Sequence, residues 1–152
     1  MMSPAGFEHG RLVSRITARL EDFVEQRGLG VVTGAETGFH IRHHPDTVRA
    51  PDVAFVRASR ITRTPILGFF DGPPDLAVEV LSPDDRAREV LAKVHDWLDA
   101  GCLTVWVVDP SASTVAVYES GRPASIYGSS DNLSGGDILP GLSLPVAKIF
   151  AG

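Results

Sequence analysis

At 152 residues and 16.2 kDa the chain has the size of one domain with a real core. Apolar residues make up 43% of it and charged residues 22%, which excludes wholesale disorder. The net charge of −5 is lopsided: residues 1–63 hold nine Arg against seven acids, and residues 64–152 hold five basic groups against twelve acids. Such a chain does not coat nucleic acid by bulk attraction, so any DNA contact is local and belongs to the Arg-rich first half. No apolar run approaches a membrane span, and the N-terminal MMSPAGFEHGRLV has no basic segment leading into an apolar stretch. Cys102 stands alone, which excludes an internal disulfide and a cysteine-based zinc site. The expectation is a cytoplasmic protein with no membrane contact and a single domain over residues 1–152.

From about His9 to Arg27 the spacing predicts an amphipathic helix, with Leu12, Val13, Ile16, Leu20, Phe23 and Val24 on one face and Gly28 ending it. Arg11, Arg15 and Arg19, four apart, line its flank; they read either as solvated charges answered by Glu21, Asp22 and Glu25 or as groups facing phosphate. Short extended runs follow at Val31–Thr33, Thr37–Arg42 and Pro51–Val56, separated by Gly34 and a polar HHPDT turn. Residues 58–74 are a long connection with Arg60 and Arg63, then an apolar Ile66–Phe70 cluster suited to a flap or a subunit contact.

Asp75–Leu81 is the clearest strand. Leu76, Val78 and Val80 face one way and Ala77, Glu79 and Leu81 the other, while Asp75 reads as a turn residue after Pro-Pro. Ser82-Pro83-Asp84-Asp85 reads as a helix start, with Ser82 as cap. The helix then runs to about Ala100 with Ala87, Val90, Leu91, Val94, Trp97 and Leu98 buried. Leu103–Asp109 reads as a strand covered on both faces, Thr114–Glu119 as its hairpin partner, and ILPGLSLPVAKIF as a tail that docks. The order implies an α/β domain with a mixed sheet.

Glu79 is the informative residue, because an acid inside a strand of Val and Leu is costly to bury without a partner. Asp52 opens its own strand on the face opposite Val53 and Phe55. Two carboxylates on adjacent strands make an oxygen-rich site for Mg²⁺ or Mn²⁺. Alone, Asp52 reads as a turn residue and Glu79 as an acid at a solvent-facing edge or paired with a structural Arg. From Glu79 to Ser82 a strand climbs roughly 10 Å. A helix returns roughly 15 Å from Pro83 to Lys93, which brings Lys93 back near the level of Glu79. Lys93 is one of two lysines among fourteen basic residues. His43-His44, ahead of Pro45-Asp46, reads as a surface turn, and no helical His pair suggests a zinc hydrolase.

RAPDVAFV, GPPDLAVEVLSPDDRAREVLAKVHDWLDAG, VWVVDP and LPGLSLPVAKIF together resemble the Uma-two family of bacterial endonucleases, within the PD-(D/E)XK nuclease superfamily. The resemblance spans almost the whole chain and implies a PD-(D/E)XK restriction-endonuclease-like fold, a mixed central sheet flanked by helices. It implies Asp52, Glu79 and Lys93 as the catalytic set, with Lys93 displaced onto the helix from the superfamily's usual place, where this chain has Leu81. It also implies Glu36 as a weaker fourth member. The expected activity is Mg²⁺- or Mn²⁺-dependent hydrolysis of phosphodiesters in DNA, with Asp52, Glu79 and the Val80 carbonyl on the metal. Arg11, Arg15, Arg19, Arg60 and Arg63 are the candidate nucleic-acid contacts. A homodimer is expected, since cutting both strands needs two sites. The alternatives are a catalytically inactive scaffold of the same fold or a hydrolase of small phosphoesters.

Overall fold

The computed structural model describes residues 4–152; the first three, at the start of the segment read as lacking a signal, lie outside the described residues. Helix α1 (Phe7–Arg27) leads into β1 (Gly30–Thr33), β2 (Phe39–His43), β3 (Asp46–Arg49) and β4 (Val53–Arg57). A 3-10 turn over Ala58–Arg60 precedes β5 (Phe70–Asp71) and β6 (Leu76–Val80). Helix α2 (Ala87–Asp99), β7 (Thr104–Asp109), β8 (Thr114–Glu119) and β9 (Ser125–Tyr127) follow. The chain continues through β10 (Asn132–Ser134), β11 (Ser143–Pro145) and α3 (Val146–Phe150).

The central sheet has six strands in the order β1-β4-β6-β7-β8-β9. Strands β6 and β7 run parallel and the other neighbours antiparallel, so the sheet is mixed as expected. The parallel pair needs a crossover, and α2 supplies it. Alternation along the strands sorts their side chains onto two faces. Val53, Phe55, Leu76, Val78, Val80, Trp106 and Val108 pack against the apolar stripe of α1 and against Leu133, Leu144, Val146 and Ile149 of the tail. On the opposite face Ala54, Val56, Ala77, Val105 and Val107 meet Val94 and Trp97 of α2 and Phe39 and Ile41 of a small β3-β2-β5 sheet. The tail therefore docks, and β7 is covered on both faces.

Gly28 ends α1 in the left-handed conformation, φ 61°, its N–H bonded back to Glu25 and Val24 carbonyls. The start of α2 differs from the expectation. Ser82 does not cap it: its N–H donates to the Asp85 carboxylate at 2.8 Å and Asp85 N–H to the Ser82 carbonyl at 3.0 Å, closing a turn. The helix begins at Ala87. Its buried face narrows accordingly to Val94 and Trp97, and Leu91 is 42% exposed. The polar HHPDT segment is the tip of a β2–β3 hairpin, β5 is a short strand within the stretch read as a connection, and β9 is a short strand where the sequence marks none.

Asp75 is not a turn residue. It is 2% exposed, accepts the Arg57 N–H at 2.8 Å, and pairs with Arg60 Nη1 at 3.2 Å and Arg57 Nε at 3.4 Å. Its own N–H donates to the Phe55 carbonyl, so it ties β4 and the turn after it to β6. Removing a buried carboxylate strands the cations that faced it. Asp75→Ala is expected to lower unfolding free energy by about 3 kcal/mol or more, read from urea melts. Arg49→Ala, which loses an exposed pair with Asp96, should change it by roughly 0.5 kcal/mol or less.

Candidate active site

Asp52 and Glu79 meet at one end of the central sheet, Glu79 against Trp97 of α2 and Asp52 within reach of His9 of α1. The β4–β6 ladder pairs Phe55 with Leu76, Ala54 with Ala77 and Val53 with Val78. One step further along that register Asp52 comes opposite Glu79. The Asp52 N–H still donates to the Val78 carbonyl at 3.1 Å, holding the residue to the sheet as the strand ends. Asp52 Oδ2 accepts the Val80 N–H at 2.7 Å and lies 3.3 Å from His9 Nε2. Because the N–H and C=O of a strand residue point to the same edge, the Val80 carbonyl also faces the Asp52 side.

Glu79 Oε2 accepts the indole N–H of Trp97 at 3.1 Å. The backbone N–H of Asp52 also favours the charged form of Glu79, and among the described residues Asp52 Oδ1 takes part in no hydrogen bond or ion pair. Burial pushes the Glu79 carboxyl up to about 7, and the nearby Asp52 charge pushes the same way. The Trp97 hydrogen bond and the charge of Lys93 oppose the rise without cancelling it. The site thus holds two opposed carboxylates with few donors between them and a deficit of positive charge. That donor set fits a hard divalent cation.

Lys93 lies on α2 one turn before Trp97, with its residue exposed. Since α2 begins later than the sequence suggests, Trp97 is the helix residue that touches Glu79, and Lys93 acts on the carboxyl through its charge. Glu36 sits exposed in the turn after β1, in the left-handed conformation at φ 66°. The β1–β4 pairing of Thr33 with Ala54 carries that turn toward the Asp52 end, but Glu36 forms no hydrogen bond or ion pair with Asp52 or Glu79.

The arginines divide. Arg11 pairs with Glu8, donates to the Ala151 carbonyl at 2.9 Å and reaches that of Phe150. Arg15 donates to the carbonyls of Lys148, Ile149 and Ala151. Arg60 is taken by Asp75, with its guanidinium 5.3 Å from the Phe70 ring centroid. These three have partners inside the protein, where the sequence suggested phosphate contacts, while Arg19 and Arg63 are exposed. Cys102 is buried, its thiol pushed up by burial to about 12, which suits packing and not nucleophilic chemistry.

Two members of the site escape the sequence reading. His9 extends the apolar stripe Leu12, Val13, Ile16 and Leu20 by one turn, and a polar residue in that position needs a partner. Trp97 reads as core, yet a buried indole N–H also requires an acceptor.

With this geometry in view, comparison with protein families matches residues 1–147 to the Uma2 family, described as "Putative restriction endonuclease". The chain belongs to the Uma2 family. Its fold is similar to that of a solved structure described as "a putative nuclease belonging to DUF820" from Anabaena variabilis ATCC 29413. The TM-score is 0.84 at 23% identity, covering 98% of this chain and 83% of that one. No curated protein matches. Among the described residues no helix is long and apolar enough to cross a membrane.

The raised Glu79 carboxyl makes folding stability depend on pH. The folded group holds its proton up to about 7 against an ordinary value of 4.5, so the protonated form is the favoured one. Its contribution is complete below about pH 4.5 and is lost as pH rises through about 7, a swing on the order of 3 kcal/mol. Thermal melts of the metal-free protein should show this decline. Glu79→Gln, which keeps an acceptor for Trp97, should remove that component and be the more stable form at pH 8.

Proposed function

We propose that this protein is a divalent-metal-dependent endonuclease that hydrolyses phosphodiester bonds in DNA. Family membership and fold support a nuclease. The observation that carries the metal is the Asp52–Glu79 pair, opposed across the β4–β6 ladder with no full counter-charge, so that burial pushes the Glu79 carboxyl up. Asp52, Glu79 and the Val80 carbonyl would hold Mg²⁺ or Mn²⁺, which supplies Lewis acidity and a bound water of lowered pKa. The residues do the rest. The Val80 N–H and His9 fix the Asp52 carboxylate, and Trp97 fixes the rotamer of Glu79. Lys93, on the open side of the helix, orients the attacking water or faces the charge growing on the phosphate. The Asp52 side chain is 23% exposed and Glu79 is mostly buried, so a cation would be reached from the Asp52 side. Backbone contacts fall to the exposed Arg19 and Arg63, and a cut through both strands would take two copies of the site. A catalytically silent scaffold of the same fold is the second reading, favoured by the internal engagement of Arg11, Arg15 and Arg60.

Calorimetry with Mn²⁺ tests the metal. Wild type should bind at millimolar affinity or tighter and Glu79→Gln should not; equal binding by both would remove Glu79 from the site. Incubation of wild type with plasmid DNA and Mg²⁺ should give nicked or linear product. Glu79→Gln and Lys93→Ala should each slow it by about 10²-fold or more. An intact plasmid alongside normal Mn²⁺ binding would favour the scaffold.

A further inference from the structure

Four side chains converge on the outer face of the small sheet, away from Asp52 and Glu79. In β2 the pairing with β3 shifts between His40 and Arg42, so one extra residue is accommodated there. Such a bulge resets the alternation of side chains. Phe39 and Ile41 point into the core, while His40 and His43, three apart, both point outward with ring centroids 4.0 Å apart. Strand β5 pairs Asp71 directly with His40, and β3 pairs Asp46 with His43. The hydrogen bonds run across these pairs. His40 Nε2 is 3.2 Å from Asp46 Oδ1, and His43 Nε2 is 2.9 Å from Asp71 Oδ1.

Among the described residues the only ion-pair partners of Asp46 and Asp71 are these two imidazoles; neither acid meets an Arg or Lys. The nearest arginines of the hairpin, Arg42 and Arg49, are turned to Asp96 of α2. Two carboxylates and two imidazoles are therefore gathered without a permanent cation. Ligand atoms of His40, His43 and Asp71 all lie within 4.8 Å of one another. Around a tetrahedral Zn²⁺ with bonds of about 2.0–2.1 Å, ligand atoms sit about 3.3 Å apart, so side-chain shifts of roughly an ångström close the set.

We infer that His40, His43 and Asp71, with Asp46 beside them, form a second cation site that takes a borderline transition ion, Zn²⁺ foremost. Imidazole donors separate it chemically from the all-oxygen Asp52–Glu79 pair, which suits Mg²⁺ or Mn²⁺. Its ligands come from β2, β3 and β5, so the bound ion ties the two-residue strand β5 and the long connection before it to the β2–β3 hairpin. The site does not depend on the proposed nuclease activity.

The test is calorimetric titration of the metal-free full chain with Zn²⁺ in excess Mg²⁺, paired with thermal melts. Wild type and Glu79→Gln should each bind one Zn²⁺ at micromolar affinity or tighter and melt higher with it. His43→Gln and Asp71→Asn change exposed side chains and should fold normally. Loss of an outer-shell partner alone costs 10–100-fold in metal affinity, so each ligand variant should lose about tenfold or more, together with the melting shift. Zn²⁺ binding that is absent in folded wild type, or unchanged in both ligand variants, overturns the site. Binding lost in Glu79→Gln but kept in His43→Gln would assign the ion to the other site and also overturn it.

Discussion

Strand β6 is covered on both faces and carries a carboxylate at each end, and the two are stabilised by opposite means. Asp75 enters the strand inside a cage of donors, the Arg57 N–H and the guanidinium groups of Arg57 and Arg60. Its charge is met, and the result is a rivet between the middle strands. Glu79, near the other end, has the indole N–H of Trp97, the backbone N–H of Asp52 and the diffuse field of an exposed lysine, while a second carboxylate stands opposite. Its charge is not met. A buried acid is tolerable when neutralised, so the same strand provides an internal control: one end has its cations built in, and the other leaves their place open.

Everything around Glu79 maintains that deficit. The antiparallel register brings Asp52 across from it, the parallel β6–β7 step forces a crossover, and the crossover helix lays Trp97 over the strand with Lys93 exposed one turn before it. No guanidinium enters from α2. The arginines that could have filled the gap are committed elsewhere, to Asp75, to the tail and to Asp96. Such an arrangement costs stability, as the raised Glu79 carboxyl records, and perturbed acids of this kind gather at functional sites.

The sheet strands were legible because burial writes itself as alternation: LAVEV and TVWVVD admit few other readings, and the opposite facing of Val53 and Asp52 follows from a period of two. Glu79 was conspicuous for the same reason. Strand β3 was not, because DTVR is a short, mostly exposed edge with no apolar face to announce it. S-P-D-D is a helix start and a turn in equal measure; the Ser82 carbonyl accepts the Asp85 N–H of a closed turn instead of the N–H one residue further on that a helix would bring to it. The arginine stripe on α1 could be read only as charge. Its partners are main-chain carbonyls more than 130 positions away, which have no sequence signature.

That last contact also sets an order of assembly. Arg11 and Arg15 tie α1 to the carbonyl groups that end α3, and His9, on the same helix, reaches Asp52. Both carboxylates belong to strands that pair within the first half of the chain and its neighbours, yet the helix that steadies one of them is fastened only by residues made much later. Long loops close slowly, so this fastening comes late. The pairing of β4 with β6 needs none of that clasp, whereas the His9 contact on Asp52 rests on a helix held by both ends of the sequence, so the two ends of the chain meet at the candidate site.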